Sequence, residues 1–342
     1  MSAQRVDVAL PVPLPRTFSY RHEPCNEDGL RPVVPGDLVV VPFGRRRAVT
    51  GLATAVADLA DGVREHEGVV LRPVTRVHAP EYHVGDDRMR LAHWLADYYM
   101  LPLDEVVPLF YPPAPGTRAR GPAEVPSGFP DVDPTPLALT AAQREALTRA
   151  GAHLDARSYG AVLLHGVTGS GKTEVYLALI ARALELGRSA LYLLPEIALT
   201  PQTLARIHAR FGDRAATIHS GLSAGQRCRV HEAAARGELQ VVVGPRSALF
   251  APVRDLGVIV VDEEHETSYK QDEKPRYHAR HAALVRGREA RAVVVLGSAT
   301  PDLESLANAT SGRFELCTLP DRLGGGALPA VEIVDMRGTP AP

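Results

Sequence analysis

The chain has 342 residues, enough for two or three domains of ordinary size. Hydrophobic residues at 45% and charged residues at 23% are typical of a globular protein with a sizeable core. The formal net charge of −2 gives no overall positive field, so any contact with nucleic acid must come from local basic patches. Three widely spaced cysteines and no run of about 18 apolar residues argue against a zinc site, a disulfide framework and a membrane span. We therefore expect a cytoplasmic protein that holds no zinc.

The N-terminal third predicts two small units followed by a linker. The segments "VDVALPVPLPRTFSY" and "GDLVVVPFGRRRAVTGLATAV" are short strands interrupted by Pro and Gly, which indicates a β-rich domain over 1–80. Apolar residues at helical spacing in "DDRMRLAHWLADYYM" predict a helix, and "LDEVVPLF" predicts a second one, within 81–111. Segment 112–136 contains eight prolines in 25 residues and is predicted to be an extended linker.

Beyond the linker, over 137–342, short aliphatic runs alternate with amphipathic helical patterns. "AVLLH", "ALYLL", "LQVVVG", "GVIVVD" and "AVVVLGSAT" are the runs, and "KTEVYLALIARALELG" is one of the helical patterns. Nearly continuous apolar strands between such helices are typical of a parallel sheet covered on both faces. The expected fold class is therefore α/β.

A phosphate-binding loop lies near the middle of the chain. "AVLLHGVTGSGKT" matches G-x-x-x-x-G-K-[ST] and has the strand, glycine turn and helix that the motif requires. The glycines let the backbone curl so that its N–H groups face phosphate oxygens. We expect Lys172 to reach the β- and γ-phosphates and Thr173 to hold Mg²⁺. The candidate ATP-binding residues of this loop are Gly166, Gly169, Ser170, Gly171, Lys172, Thr173 and Glu174.

"GVIVVDEEHE" places two carboxylates where an apolar strand ends, at the sheet edge where such folds bind ligands. Asp262 is the expected second Mg²⁺ ligand, and Glu263 is positioned to orient and activate the attacking water. Two interpretations of "LTAAQREAL" stay open. Thr140 and Gln143 satisfy a helix capping box, and the Gln143 amide also offers the donor and acceptor that an adenine edge requires.

The succession of motifs resembles one family closely. "GVTGSGKTEVYL", "LLPEIALTPQ", "HSGLS", "GPRSALFAP", "DEEHETSYKQDEKPRYHAR" and "GSATPDLES" resemble, in order, the motor motifs of the replication-restart DNA helicases, the PriA or primosomal protein N′ family. The N-terminal "VALPVPLPRTFSY", "VPFGRRR" and "WLADYYMLPLDEVV" are similar to that family as well.

The resemblance implies a DEAH-like superfamily 2 helicase of 3′-to-5′ polarity that recognises stalled or repaired forks and initiates primosome assembly. It implies a RecA-like lobe behind a 3′-end DNA-binding domain and a reduced winged-helix segment. ATP and Mg²⁺ are the implied cofactors. Forked and single-stranded DNA, single-stranded DNA-binding protein and primosome or helicase-loading proteins are the implied partners.

The resemblance also assigns roles to residues. It makes Lys172 and Glu263 catalytic, favours an adenine contact by Gln143, and gives Ser298 and Thr300 of "GSAT" a role in coupling nucleotide state to DNA grip. The implied DNA-binding residues are Arg45, Arg46, Arg47, Arg246, Tyr269, Lys270, Tyr277 and Arg280. For "PFGRRR" and the loop "SYKQDEKPRYHAR", an ordinary solvated charged surface is the alternative. Pro245 stands where the family usually has Thr.

Two departures from the family leave the activity open. The winged-helix segment is shorter than expected, and the chain ends at "VEIVDMRGTPAP", where relatives continue into a cysteine-rich zinc-binding insertion and a second motor lobe. One hypothesis is an ATP-dependent helicase of which this is the first half. The others are a fork-binding adaptor without motor activity and a P-loop ATPase or kinase unrelated to DNA.

Overall fold

The computed structural model describes residues 2–12, 14, 16–25, 30–60, 63–66, 68–113, 115–116 and 133–323. Most of the predicted linker and the C-terminal segment 324–342 therefore lie outside the described residues. Within the described ranges, no helix is long and apolar enough to cross a membrane.

The N-terminal sheet is built from short, mostly antiparallel strands in the order β7-β2-β1-β4-β3-β8. Its core consists of valines and aromatic residues on alternate positions of β1, β2 and β3, with Val6, Val8 and Val39 fully buried. A separate two-stranded ribbon joins β5 and β6. The strands are β1 (Ala3–Ala9), β2 (Phe18–His22), β3 (Leu38–Phe43), β4 (Arg46–Leu59), β5 (Glu65–His66), β6 (Val69–Val70), β7 (Arg72–Pro73) and β8 (Arg76–Val77).

Two helices, α1 (Asp86–Tyr98) and α2 (Leu103–Val106), follow this sheet and pack against the second half of the chain. Their buried face, with Leu91 and Leu95, belongs to the same apolar cluster as the interior of the parallel sheet. Ion pairs join the halves, between Arg90 and Glu289 and between Lys274 and Glu105. The domain boundaries expected from the sequence stay a prediction.

The second sheet confirms the α/β fold class: its seven strands are all parallel, in the order β11-β12-β10-β13-β16-β9-β17. Both faces are covered, so β10, β12 and β16 are buried along their whole length. Its strands are β9 (Gly160–Gly166), β10 (Ser189–Leu193), β11 (Ala215–Thr217), β12 (Val241–Gly244), β13 (Leu256–Asp262), β16 (Val293–Ser298) and β17 (Glu315–Leu319). Its helices are α3 (Ala141–Asp155), α4 (Lys172–Glu185), α5 (Pro201–Phe211), α6 (Ala224–Arg236), α7 (Ala279–Ala290) and α8 (Leu303–Thr310), and a small ribbon pairs β14 (Lys270–Gln271) with β15 (Tyr277–His278).

The strand order brings the sequence motifs together. Carboxyl ends of parallel strands share one edge of a sheet, and β13, β16 and β9 are consecutive neighbours. The phosphate-binding loop follows β9, Asp262 ends β13 and Ser298 ends β16. Three motifs that lie far apart in the sequence therefore meet at one edge.

Candidate nucleotide site

The loop between β9 and α4 has the backbone that phosphate binding requires. Gly169 and Gly171 have φ of 80° and 79°, a left-handed conformation that other residues rarely adopt. Gly171 is the N-cap of α4, so the free N–H groups and the positive end of the helix dipole face the loop. The Nζ of Lys172 donates to the Gly166 carbonyl at 2.9 Å. The basic group is thus already held inside the loop.

Two further observations concern Ser170 and Gly166 of this loop. The Ser170 hydroxyl is buried and has no hydrogen-bond partner among the described residues, which is unusual for a buried polar group. Gly166 leaves room for it, because a Cβ there would lie 2.5 Å from the Ser170 Oγ. Glu174 in the first turn of α4 is buried and forms an ion pair with Arg206, which joins the start of α4 to α5.

Gln143 connects α3 to the loop. The capping box with Thr140 is present in both directions, which confirms the helix-cap interpretation. The Gln143 Nε2 also donates to the carbonyls of Ser170 at 2.9 Å and Gly171 at 3.4 Å. Since the side chain is 1% exposed and both ends of its amide are engaged, an adenine contact would require it to leave these partners. That contact stays a prediction.

Asp262 lies at the end of β13 among hydroxyl donors. The Tyr176 hydroxyl donates to its Oδ1 at 3.1 Å and the Tyr192 hydroxyl to its Oδ2 at 3.3 Å. Burial, reinforced by the charge of Glu263, raises the pKa of Asp262 to about 6. A cation bound beside this carboxylate would stabilise its charged form, as Mg²⁺ does for its carboxylate ligands.

Sequence reasoning missed both tyrosines. Tyr176 lies on α4 and Tyr192 on β10, and burial raises the pKa of each hydroxyl well above its usual range, so both donate. For Tyr192 the available signal was a tyrosine within an otherwise aliphatic buried strand, since a buried hydroxyl needs a partner.

Glu263 adopts a φ of 45°, uncommon for a residue with a side chain and costly enough to require support from its surroundings. Its side chain is partly exposed at the sheet edge, and its Oε2 lies 3.7 Å from the His265 Nδ1. The same Nδ1 is 2.7 Å from the Oγ of Ser298. Ser298 also accepts from the Thr300 N–H at 2.9 Å, so the "GSAT" segment is joined to the acidic motif.

Glu264 is the centre of a buried network that the sequence did not reveal. Its carboxylate accepts from the Arg280 Nη1, the Ser305 Oγ and the Asp302 N–H, each at 2.8 Å. Its own N–H donates to the Gly297 carbonyl at 3.0 Å. The network therefore ties β13 to β16, α7 and α8.

Three of the expected DNA contacts are corrected by this arrangement. Tyr269 and Tyr277 are 1% and 3% exposed, so their ring faces cannot stack on bases. The Tyr269 hydroxyl instead donates to the Asp262 carbonyl at 2.7 Å. Arg280 is 4% exposed and is held by Glu264. In this structure these three side chains pack inside the protein and present no surface to DNA.

The remaining candidates are open to solvent. Arg45 lies in the turn between β3 and β4, Arg46 and Arg47 begin β4, and all three are exposed. Lys270 is exposed, and the Arg246 Nη1 donates to the Lys270 and Ser268 carbonyls at 3.1 Å each, which fixes the loop. Their DNA contacts stay predictions.

Comparison with known proteins finds one matching family profile in each half of the chain. The family profile for DEAD/DEAH box helicases matches residues 140–309, and that for the PriA 3′DNA-binding domain (3′BD) matches residues 7–112. These matches imply that the chain uses ATP.

Curated relatives match in sequence. The replication restart protein PriA of Treponema pallidum is 36% identical over 333 residues, which is 97% of this chain and 49% of the relative. PriA of Bacillus subtilis is 50% identical over 202 residues, 59% of this chain and 25% of the relative. Among solved structures, RecG bound to a three-way DNA junction is 23% identical, with a TM-score of 0.42, over 56% of this chain and 25% of its own.

The chain spans at most about half the length of these curated relatives. Its α/β lobe carries the helicase motifs, and its β-rich part carries the 3′DNA-binding domain. The chain belongs to the replication restart protein PriA family and corresponds to the N-terminal half of its members.

Proposed function

We propose that this chain recognises stalled or repaired replication forks, binds ATP with Mg²⁺, and contributes to primosome assembly as part of a 3′-to-5′ DNA helicase in the cytoplasm. The observation that carries the proposal is one sheet edge holding a phosphate loop, an acid pair and the "GSAT" segment. The β-rich N-terminal part supplies the DNA-end contact in this proposal. Single-stranded DNA-binding protein and helicase-loading proteins are proposed partners.

In the proposed site, Lys172 and the N–H groups at the start of α4 hold the β- and γ-phosphates. Thr173 and Asp262 hold Mg²⁺, which when bound neutralises charge on the phosphate oxygens. Glu263 orients the attacking water and accepts its proton. Cleavage joins the water oxygen to the γ-phosphorus and releases ADP as the leaving group.

The coupling we propose runs through side chains of this chain. Glu263 lies beside His265, and His265 contacts Ser298. A change at the water-binding carboxylate therefore reaches the "GSAT" segment through one imidazole. The exposed Lys270 lies beyond it, on the loop that Tyr269 connects to Asp262, and Arg246, which follows β12, donates to a carbonyl of that loop.

The experiment measures DNA and nucleotide binding together. Fluorescence anisotropy should show tighter binding to a fork with an accessible leading-strand 3′ end than to blunt duplex. Blocking the 3′-OH should remove that preference, and a labelled ATP analogue should bind in the presence of Mg²⁺. Equal affinity for fork and duplex, combined with no nucleotide binding, would refute the proposal.

A further inference from the structure

The edge strand β17 ends beside the phosphate-binding loop. It is the neighbour of β9 in the sheet, and the two strands pair in parallel so that Leu319 lies opposite Gly166. The Val167 N–H, in the loop itself, donates to the Leu319 carbonyl at 3.3 Å. The segment that follows β17, residues 320–323, therefore starts at the same sheet edge as the phosphate-binding loop.

Leu323, at the end of this segment, is held against the loop by its backbone and by its side chain. Its N–H donates to the Gly169 carbonyl at 2.9 Å. Its Cδ1 occupies space that a glycine at position 171 leaves open, since a Cβ there would lie 2.6 Å from it. The same Cβ would lie 2.4 Å from the Gln143 Nε2, so the side chains of Gln143 and Leu323 meet on Gly171 from two separate segments.

Leu323 keeps a free apolar surface although it is held in place. It is 46% exposed, whereas Gln143 is 1% exposed and its amide is engaged by the carbonyls of Ser170 and Gly171. Of the two side chains that meet on Gly171, Leu323 is therefore the one with surface available to a ligand. That surface consists of hydrocarbon groups, so it suits an apolar or aromatic part of a ligand and not a charged phosphate.

The strand order indicates which part of a bound nucleotide lies near Leu323. The order is β13-β16-β9-β17, so the acid pair Asp262 and Glu263 follows a strand on one side of β9, and the segment that carries Leu323 follows the strand on the other side. In the nucleotide site proposed above, the γ-phosphate faces the acid pair, because that pair supplies the Mg²⁺ ligand and orients the water. The α-phosphate and the nucleoside then extend from the loop toward the β17 side.

We propose that Leu323 is an apolar contact for the nucleoside part of the bound ATP. The inference rests on the proposed nucleotide site and adds a residue that lies outside 140–309, the range that matches the helicase profile. A nucleoside packed on Leu323 would cover the exposed part of this side chain, and removing apolar surface from water favours binding. The contact needs no hydrogen bond, so Gln143 can keep its bonds to the loop while the nucleoside is bound.

The test compares a ligand that contains a nucleoside with one that consists of phosphates alone. A non-hydrolysable ATP analogue and inorganic tripolyphosphate are each titrated, with Mg²⁺, into the full chain in a calorimeter. Leu323→Ala should weaken binding of the ATP analogue by about three- to tenfold, because the half-exposed side chain no longer covers part of the nucleoside. The affinity for tripolyphosphate should stay unchanged, since Lys172 and the loop backbone are intact.

Three further variants separate this contact from a general effect on the loop. Leu323→Met keeps a flexible apolar side chain of similar volume and should bind the ATP analogue as the wild type does. Leu316→Ala is the matched control, because Leu316 is also a leucine of the β17 region and is 37% exposed; it should leave both affinities unchanged. Lys172→Ala removes the cation held inside the loop and should weaken binding of both ligands.

A second measurement detects the contact directly and does not depend on tripolyphosphate binding. Leucine methyl groups are labelled with ¹³C, and nuclear Overhauser effects from them to the ATP analogue are recorded at saturating analogue. The wild-type chain should show cross-peaks between leucine methyl groups and ribose or base protons. These cross-peaks should disappear in Leu323→Ala and persist in Leu316→Ala. Their absence from the saturated wild-type chain would overturn the proposal.

The binding results also distinguish this contact from the nucleotide site itself. Equal losses of affinity for both ligands in Leu323→Ala would make Leu323 a support of the loop and overturn the proposal. Unchanged affinity of Leu323→Ala for the ATP analogue, with a loss in Lys172→Ala, would overturn the contact and leave the nucleotide site standing. Failure of the wild-type chain to bind the ATP analogue would overturn the nucleotide site and this contact with it.

Discussion

Gly297 leaves the space in which the hydroxyl of Tyr176 reaches Asp262. A Cβ at position 297 would lie 1.6 Å from the Tyr176 hydroxyl oxygen, a distance that two non-bonded atoms cannot share. The glycine of "GSAT" therefore has a role beyond backbone freedom, since it permits a hydrogen bond between α4 and the end of β13. The nucleotide loop, the acidic motif and the "GSAT" motif meet in this one contact.

Gly297→Ala should destabilise the chain by about 1–3 kcal/mol, because Tyr176 is fully buried and has no room to withdraw. Tyr176→Phe removes the hydroxyl and should restore part of the loss in the double variant. Gly151→Ala in helix α3 is the control, since a Cβ there meets only the flexible side chain of Arg182 at an ordinary 3.5 Å. Urea unfolding of the four proteins measures the effect; a Gly297→Ala variant as stable as wild type would contradict it.

Lys172→Ala and Glu263→Gln should separate binding from hydrolysis. Lys172→Ala removes the cation held inside the phosphate loop and should weaken binding of a labelled ATP analogue by about tenfold or more. Glu263→Gln keeps the shape of the partly exposed side chain, so binding should change little. Any hydrolysis of ATP should fall by about 10²–10⁴-fold in that variant, because the proton acceptor is lost. Undiminished hydrolysis by Glu263→Gln would assign the base to another residue.

The pKa of Asp262 should appear in the pH dependence of stability. Its folded value of about 6 exceeds the ordinary 3.8, so the folded chain holds the proton more tightly than the unfolded one. The free energy of unfolding should therefore fall as pH rises between these two values, by about 3 kcal/mol at most. Asp262→Asn cannot ionise, and its stability relative to wild type should rise over the same window. Urea unfolding of both proteins at about pH 4 and about pH 7.5 measures this difference. An equal difference in the free energy of unfolding at both pH values would mean that folding does not raise the pKa of Asp262.

We expect fork DNA to be bound partly through ion pairs between its phosphates and three arginines, Arg45, Arg46 and Arg47. Replacing all three by Ala should reduce the slope of log affinity against log salt for fork DNA by about 1–3, at roughly 0.9 per lost phosphate contact. Fluorescence anisotropy across a salt series measures the slope. Arg313→Ala, also exposed, is the control and should leave it unchanged. An unaltered slope in the triple variant would make this turn an ordinary charged surface.

Arg280 should behave as a structural residue. Arg280→Met leaves the fully buried Glu264 without its cation and should cost about 3–5 kcal/mol in the free energy of unfolding. Arg276→Met, on the exposed part of the same loop, should change it by less than about 0.5 kcal/mol. In the double variant with Glu264→Gln, the loss should be smaller than the sum of the single losses. Normal stability of Arg280→Met with reduced DNA affinity would restore the DNA role.

The sequence by itself determined the parallel α/β lobe, the nucleotide loop and the position of the acid pair. Each depends on local information: aliphatic runs mark strands buried on both faces, and the loop needs glycines at the two left-handed positions 169 and 171. The capping box at Thr140 and Gln143 is local as well, because its partners are three residues apart.

Only the tertiary structure decided which charged and aromatic side chains are available to a ligand. Tyr269, Tyr277 and Arg280 have the composition of a DNA-binding loop, but that loop folds back on β13 and buries them. Glu264 finds its partners 16 to 41 positions away. Burial and charge compensation depend on which elements pack together, and strand order, not spacing along the chain, sets that packing.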